Sequence, residues 1–174
     1  MTAILMIGLN SCKKDSTSAK NEVTYLGTSF DLTKGYIAKP SVAKVALNYY
    51  NFDVFLTSST LTLTYDFNLS GTGNFLGFTM HSTSPTDLVA GTYTYNADAG
   101  DNTFSYGEAM CGSTYATKST SLPVTTIVGG TIKVAISGTD YELTFNGTLS
   151  DESTITAYFK GPLTEIPNHA PVTK

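Results

Sequence analysis

The sequence predicts an all-β chain, an antiparallel β-sandwich of about nine or ten strands, with a lipocalin-like β-barrel as the alternative architecture. Three observations carry this. From Val23 to Pro162 apolar and polar residues alternate with a period of two, and no stretch of a dozen residues shows the 3.6-residue period of a helix. Ser and Thr supply 46 of the 174 residues, Thr favouring strands and both favouring turns. Fourteen of the fifteen Gly fall within this stretch and punctuate the alternation. Charged residues make up only 14% and aromatic ones 11%, the reverse of what a disordered chain or a coiled coil needs. A chain of this length forms one domain with short tails and buries a core without help from metals or disulfides.

The charge pattern excludes partners more sharply than the net value of −4 does. All ten cationic residues are Lys, and Arg is absent. Bidentate recognition of phosphate and guanine leans on Arg, so no nucleic-acid partner is expected.

At the N-terminus, residues 3–9 form an apolar run too short to span a bilayer but long enough for the hydrophobic region of an export signal. Leu9-Asn10-Ser11-Cys12 follows, and it resembles the lipobox of bacterial lipoprotein signal peptides. That resemblance implies cleavage before Cys12 and acylation of its thiol. Ser11-Cys12-Lys13-Lys14-Asp15 is similar to the start of many lipoproteins of Bacteroidota, which implies a lipid-anchored location at the outer membrane, on its periplasmic or its surface side. Each buried CH₂ contributes about 0.8 kcal/mol, so two or three acyl chains hold a soluble domain on a membrane where one does not. The expected organisation is therefore an export signal over 1–11, a lipidated tether over 12–22, one β-domain over 23–163 and a polar tail over 164–174. The tether after Cys12 has no apolar periodicity and an r.m.s. span of about 17 Å.

Within the body, residues 23–32 and 35–38 read as the first strands. Tyr50, Phe52, Val54 and Leu56 alternate, as do the odd positions of 61–69. Folding back through Ser58-Ser59 sets Leu56 opposite Leu61 and Phe52 opposite Tyr65. Gly71 to Gly77 has the wrong spacing for a dinucleotide fingerprint and reads as a strand connection. Shorter candidates cover 74–81, 91–95, 103–110 and 121–127. Residues 96–102, rich in Asn, Asp and Gly, read as a turn and not as a calcium loop, since the ligand spacing is wrong. The strongest meander spans 130–163. Gly138-Thr139 suits a two-residue turn with Gly first, pairing Ile136 with Tyr141, Val134 with Leu143 and Ile132 with Phe145. A turn at 151–153 then pairs Leu149 with Ile155 and Phe145 with Phe159. The loops at 83–90 and 115–123 are long enough to cross between two sheets, which favours the sandwich. Residues 87–95, 130–134 and 158–163 look like segments recurring in uncharacterised β-rich lipoproteins of Bacteroidota, which implies this fold class and location.

No catalytic constellation emerges, and the expectation is a non-enzymatic chain without metal or cofactor. Only His81 and His169 are present, His169 in the Pro-flanked tail, and no Gly-x-Ser-x-Gly elbow accompanies either. Ser82 and Ser84 beside His81 read as loop residues. Asp53 and Asp66 form the most suggestive carboxylate pair, on the wet face of neighbouring strands, yet solvated strand carboxylates are commoner than catalytic ones. With Cys12 acylated, Cys111 has no partner for an intramolecular disulfide and reads as a small, partly buried residue. Tyr is the one residue type abundant enough to suggest binding. Tyr49, Tyr106, Tyr115 and Tyr158 fall away from the main apolar faces, where tyrosine can stack on a sugar or anchor a protein. The expected function is a lipid-anchored domain presenting loops to a protein or glycan partner. The alternative is a lipocalin-like carrier or sensor of a small apolar ligand.

Overall fold

The computed structural model describes residues 19–40, 48–64, 69–115 and 124–166, with the backbone alone for 113–115. Eleven strands and no helix occur among them. They are β1 (Glu22–Tyr25), β2 (Thr28–Asp31), β3 (Lys34–Ala38), β4 (Tyr50–Thr57), β5 (Leu61–Leu63) and β6 (Leu69–Ser82), then β7 (Gly91–Tyr95), β8 (Thr103–Tyr115), β9 (Thr125–Ser137), β10 (Asp140–Leu149) and β11 (Thr154–Ile166). Pairing runs β10–β9–β7–β8–β6–β4–β3–β11 and returns to β10, which closes an eight-strand barrel.

The all-β class holds, and of the two architectures the barrel is the one that forms. The sandwich rested on the 83–90 loop crossing between sheets. Instead this loop folds over one end of the ring, where Leu88 is buried in the core and the Tyr93 hydroxyl donates to the Val89 carbonyl at 2.8 Å. The long strands β6, β8, β9 and β11 also serve several neighbours in succession. β9 pairs with β8 through Thr125 and Thr126, then with β7 through residues 131–134. β11 pairs with β1 through residues 155–158, then with β3 through residues 163–166. Two of these contacts, β3 with β11 and β7 with β8, are parallel, which an alternating pattern cannot reveal. The last strand thus continues to Ile166 beside β3.

Side chains fill the barrel interior. Phe52, Tyr93, Phe104, Phe145 and Phe159 are among the largest fully buried groups. Phe78 meets Phe104 and Phe145 edge-to-face, with ring centroids 5.8 and 4.9 Å apart. Complete burial of such a side chain contributes about 1.5–3 kcal/mol. The β1–β2 hairpin completes the wall between β11 and β6. Its join is Asn74, whose Nδ2 donates to the Asp31 carbonyl at 3.1 Å while its Oδ1 accepts from the Gly112 amide at 2.8 Å. A second apolar cluster lies outside the ring, where β5 covers Phe75, Met110 and Ile166.

Several expected pairings are corrected. β4 pairs with β3 and β6, not with residues 61–69. Ser58, expected at the turn, is buried and bonded to Asn74 through both its backbone N–H and its Oγ, so the chain is held along β6 instead of doubling back on β4. β5 is short and pairs with the start of β6, and residues 65–68, Tyr65 and Asp66 among them, lie outside the described residues. Residues 71–77 are not a connection but the first half of β6. The 130–163 meander forms with the expected Ile136–Tyr141, Val134–Leu143 and Ile132–Phe145 pairs. On its second hairpin the register differs by two: Phe145 faces Ala157 and Gly147 faces Ile155. The turn is centred one residue earlier, over 150–152, because the Leu149 amide bonds the Ser153 carbonyl, and a shift of two keeps every side chain on its expected face.

Candidate functional site

The outer face of β4, β6 and β8 carries a cluster of polar and aromatic groups. Alternation turns Phe52, Val54 and Leu56 inward on β4 and Leu76, Phe78 and Met80 inward on β6, leaving the intervening residues on the outer wall. Four rungs result. Asn51 lies beside His81, Asp53 beside Thr79, Phe55 beside Gly77, and Thr57 beside Phe75. On β8, Tyr106 extends the second rung, Glu108 the third and Met110 the fourth. The register of β6 on β8 slips between Thr79 and Met80, so Ser105 is an extra residue and joins Tyr106 on the outer wall.

The first rung is a polar chain. His81 Nδ1 lies 2.9 Å from Asn51 Oδ1, and Nε2 lies 2.8 Å from Ser105 Oγ. Since Oδ1 only accepts, Nδ1 carries the ring proton and Nε2 accepts from the serine hydroxyl. Burial pushes the imidazole below its ordinary value of 6.5, which keeps it neutral at neutral pH. The order hydroxyl, base, orienter is that of a nucleophilic constellation. Here, however, the histidine is only 2% exposed and Tyr49 packs edge-on against it at 4.7 Å, so the chain ties three strands together beneath a lid. Ser82 takes no part: its hydroxyl donates to the Asp87 carbonyl in the barrel-end loop.

The second and third rungs form a groove of about 240 Å³. Gly77 is its floor. A Cβ there would lie 2.7 Å from Phe75 Cζ and 3.3 Å from Phe55 Cδ1, so only glycine lets both rings lean over the strand. Those rings stack with centroids 6.0 Å apart. Asp53, Thr79, Tyr106 and Glu108 complete the wall. Thr79 donates to Asp53 Oδ1 at 2.7 Å, yet burial outweighs this bond and raises the carboxyl above its ordinary value of 3.8. The Tyr106 hydroxyl donates to Glu108 Oε1. Burial, that bond and the adjacent carboxylate together push the phenol up to about 12.

Of the four tyrosines singled out from sequence, the structure brings Tyr49 and Tyr106 onto this one wall. Tyr158 lies across the ring, on the outer face of β11 beside Glu142 and Lys160, three strands from β6. Tyr115 ends β8 opposite Gly71, and its side chain lies outside the described atoms. Cys12 and His169 lie outside the described residues. Asp53 faces Thr79 and not Thr64, and Asp66, its expected partner, is not among the described residues. Cys111 is half-buried against the core, and burial pushes its thiol up to about 11. Residues 96–102 form the expected Asx turn, the Asp98 amide bonding Asn96 Oδ1 at 3.1 Å. Sequence reasoning missed Phe55, Phe75 and Glu108. The available signal was Gly77, a small residue between Phe75 and Thr79 at the outward positions of a strand rich in aromatic residues. Among the described residues no three His, Cys, Asp or Glu side chains converge as metal ligands.

Comparison of the chain with protein-family models, with curated proteins and with solved structures finds no match.

Proposed function

We propose that this chain is a non-enzymatic, lipid-anchored module of the bacterial outer membrane that presents the outer wall of β4, β6 and β8 to a protein or glycan partner. The observation that carries this reading is the groove over Gly77, where aromatic rings, a phenol and two carboxylates are held on paired strands. A recognition surface on strands is better ordered than one on loops, and its side chains are already in place before binding. The anchor rests on Leu9, Ser11 and Cys12 and on the Bacteroidota-like start of the chain. The closed ring is what a carrier of a small apolar ligand would use. The aromatic packing inside it and the Leu88 plug at its end weigh towards recognition on the outer surface.

Two measurements test this. Fatty-acid labelling and membrane partitioning are expected for the wild-type chain and lost in Cys12→Ala; equal behaviour of the two removes the anchor. On arrays of glycans and of purified envelope proteins, Tyr106→Ala is expected to abolish the wild-type signal and Tyr158→Ala to preserve it. The opposite pattern moves the recognition surface to the other wall.

A further inference from the structure

We propose that the groove over Gly77 is a lysine-binding site, which takes the alkylammonium side chain of a lysine presented by a partner protein. This rests on the outer wall being the recognition surface and names the chemistry it selects.

The argument starts from charge. Asp53 and Glu108 flank β6 on either side, and among the described residues neither has a cationic partner. The ion pairs seen among the described residues lie elsewhere: Lys39 with Asp87 and Glu165, and Lys160 with Glu142. In each groove carboxylate one oxygen is engaged, Asp53 Oδ1 by Thr79 and Glu108 Oε1 by Tyr106. Among the described residues no hydrogen bond or ion pair engages the second oxygen of either. A half-buried carboxylate without a counter-charge is unfavourable, and an incoming cation relieves that cost.

Shape and polarity narrow the cation. The surface of the groove is mostly apolar, supplied by Phe55 and Phe75, whose rings lean over the buried Gly77. A butyl stem fits along such a floor, and an ammonium at its end meets carboxylate oxygen and an aromatic face together, the pairing that favours cations over neutral amides. A volume of about 240 Å³ suits one side chain better than a run of sugars.

The test is a heteronuclear NMR titration of the full chain in non-ionic detergent with Nα-acetyl-lysine methylamide. The Nε-acetylated analogue and glucosamine serve as neutral and amino-sugar comparators. Saturable shifts are expected at the Gly77, Tyr106 and Glu108 amides with the lysine compound and not with its acetylated form. Glu108→Gln and Asp53→Asn keep side-chain shape, and each is expected to weaken binding roughly tenfold, whereas Glu142→Gln across the ring leaves it unchanged. Equal response to the neutral analogue, unchanged affinity in Glu108→Gln, or tighter binding of glucosamine overturns the proposal. The two readings fail separately. Loss of array binding in Tyr106→Ala with retention in Glu108→Gln removes the lysine assignment alone, and retention in Tyr106→Ala removes the recognition wall itself.

Discussion

Asp53 shows how much of a residue's behaviour depends on neighbours that lie far away in sequence. As one member of an alternating segment it reads as a solvated strand carboxylate. In the fold it lines the same groove as Phe55 and Tyr106, and desolvation raises its pKa despite the Thr79 bond. The consequence for stability has a definite sign. The unfolded chain ionises near the ordinary value of 3.8, whereas the folded chain holds the proton to higher pH. The penalty is absent below the unfolded value and complete above the folded one, so this group lowers stability as pH rises through that window. Asp53→Asn is expected to remove that contribution, leaving a smaller loss between pH 3 and pH 7 in chemical unfolding. An unchanged difference between the two pH values would contradict it. Tyr49 and Tyr106 were legible as surface tyrosines because each stands out of phase with its apolar neighbours. Their shared wall was not, because it depends on the extra residue Ser105 in β8.

At the scale of elements, legibility follows turn chemistry. The β9–β10 hairpin has its expected register because Gly138, at φ +63°, opens a two-residue turn that only one pairing satisfies. Residues 23–32 read as one strand but form two, since the turn at Leu26 and Gly27 puts a bulky residue at φ +48°, where glycine or asparagine is the usual signal. Other glycines matter for spacing more than for turning. Gly130 sits at φ +128°, and a Cβ there would lie 2.3 Å from the Asn146 carbonyl oxygen, a backbone atom that cannot swing aside. Gly130→Ala is therefore expected to destabilise by about 2–4 kcal/mol, read from the denaturation midpoint. Gly138→Ala, with nothing within 4 Å of the added methyl, should cost about 1 kcal/mol. Equal losses at the two positions would show that backbone conformation, and not the close approach of β10, sets the cost.

For the molecule as a whole, the all-β class was readable from alternation, and barrel closure was not. Closure depends on pairings between strands far apart in sequence and on buried polar joins such as Asn74. One Asn among many carries no mark that it will bridge β2 to β8. Removing it takes away one hydrogen bond to the Asp31 carbonyl and one to the Gly112 amide, both on solvent-exposed residues, each bond contributing about 0.5–1.5 kcal/mol. Asn74→Ala is expected to destabilise the fold by about 1–3 kcal/mol and to speed hydrogen exchange at Gly112 before the β9–β10 hairpin opens. Unaltered exchange at Gly112 would mean that the hairpin seals the wall without this side chain.

Ala19 and Lys20 lie beside Glu22 of β1 and Thr144 and Tyr158 of the β10–β11 wall, and the Asn21 side-chain amide donates to the Lys160 carbonyl and accepts from the Lys160 amide. That doorway and the hollow over Gly77 are on different quarters of the circumference. Under the anchoring proposed at Cys12, a leash fastened at the doorway leaves the hollow on a separate face, free to meet whatever approaches from the solvent.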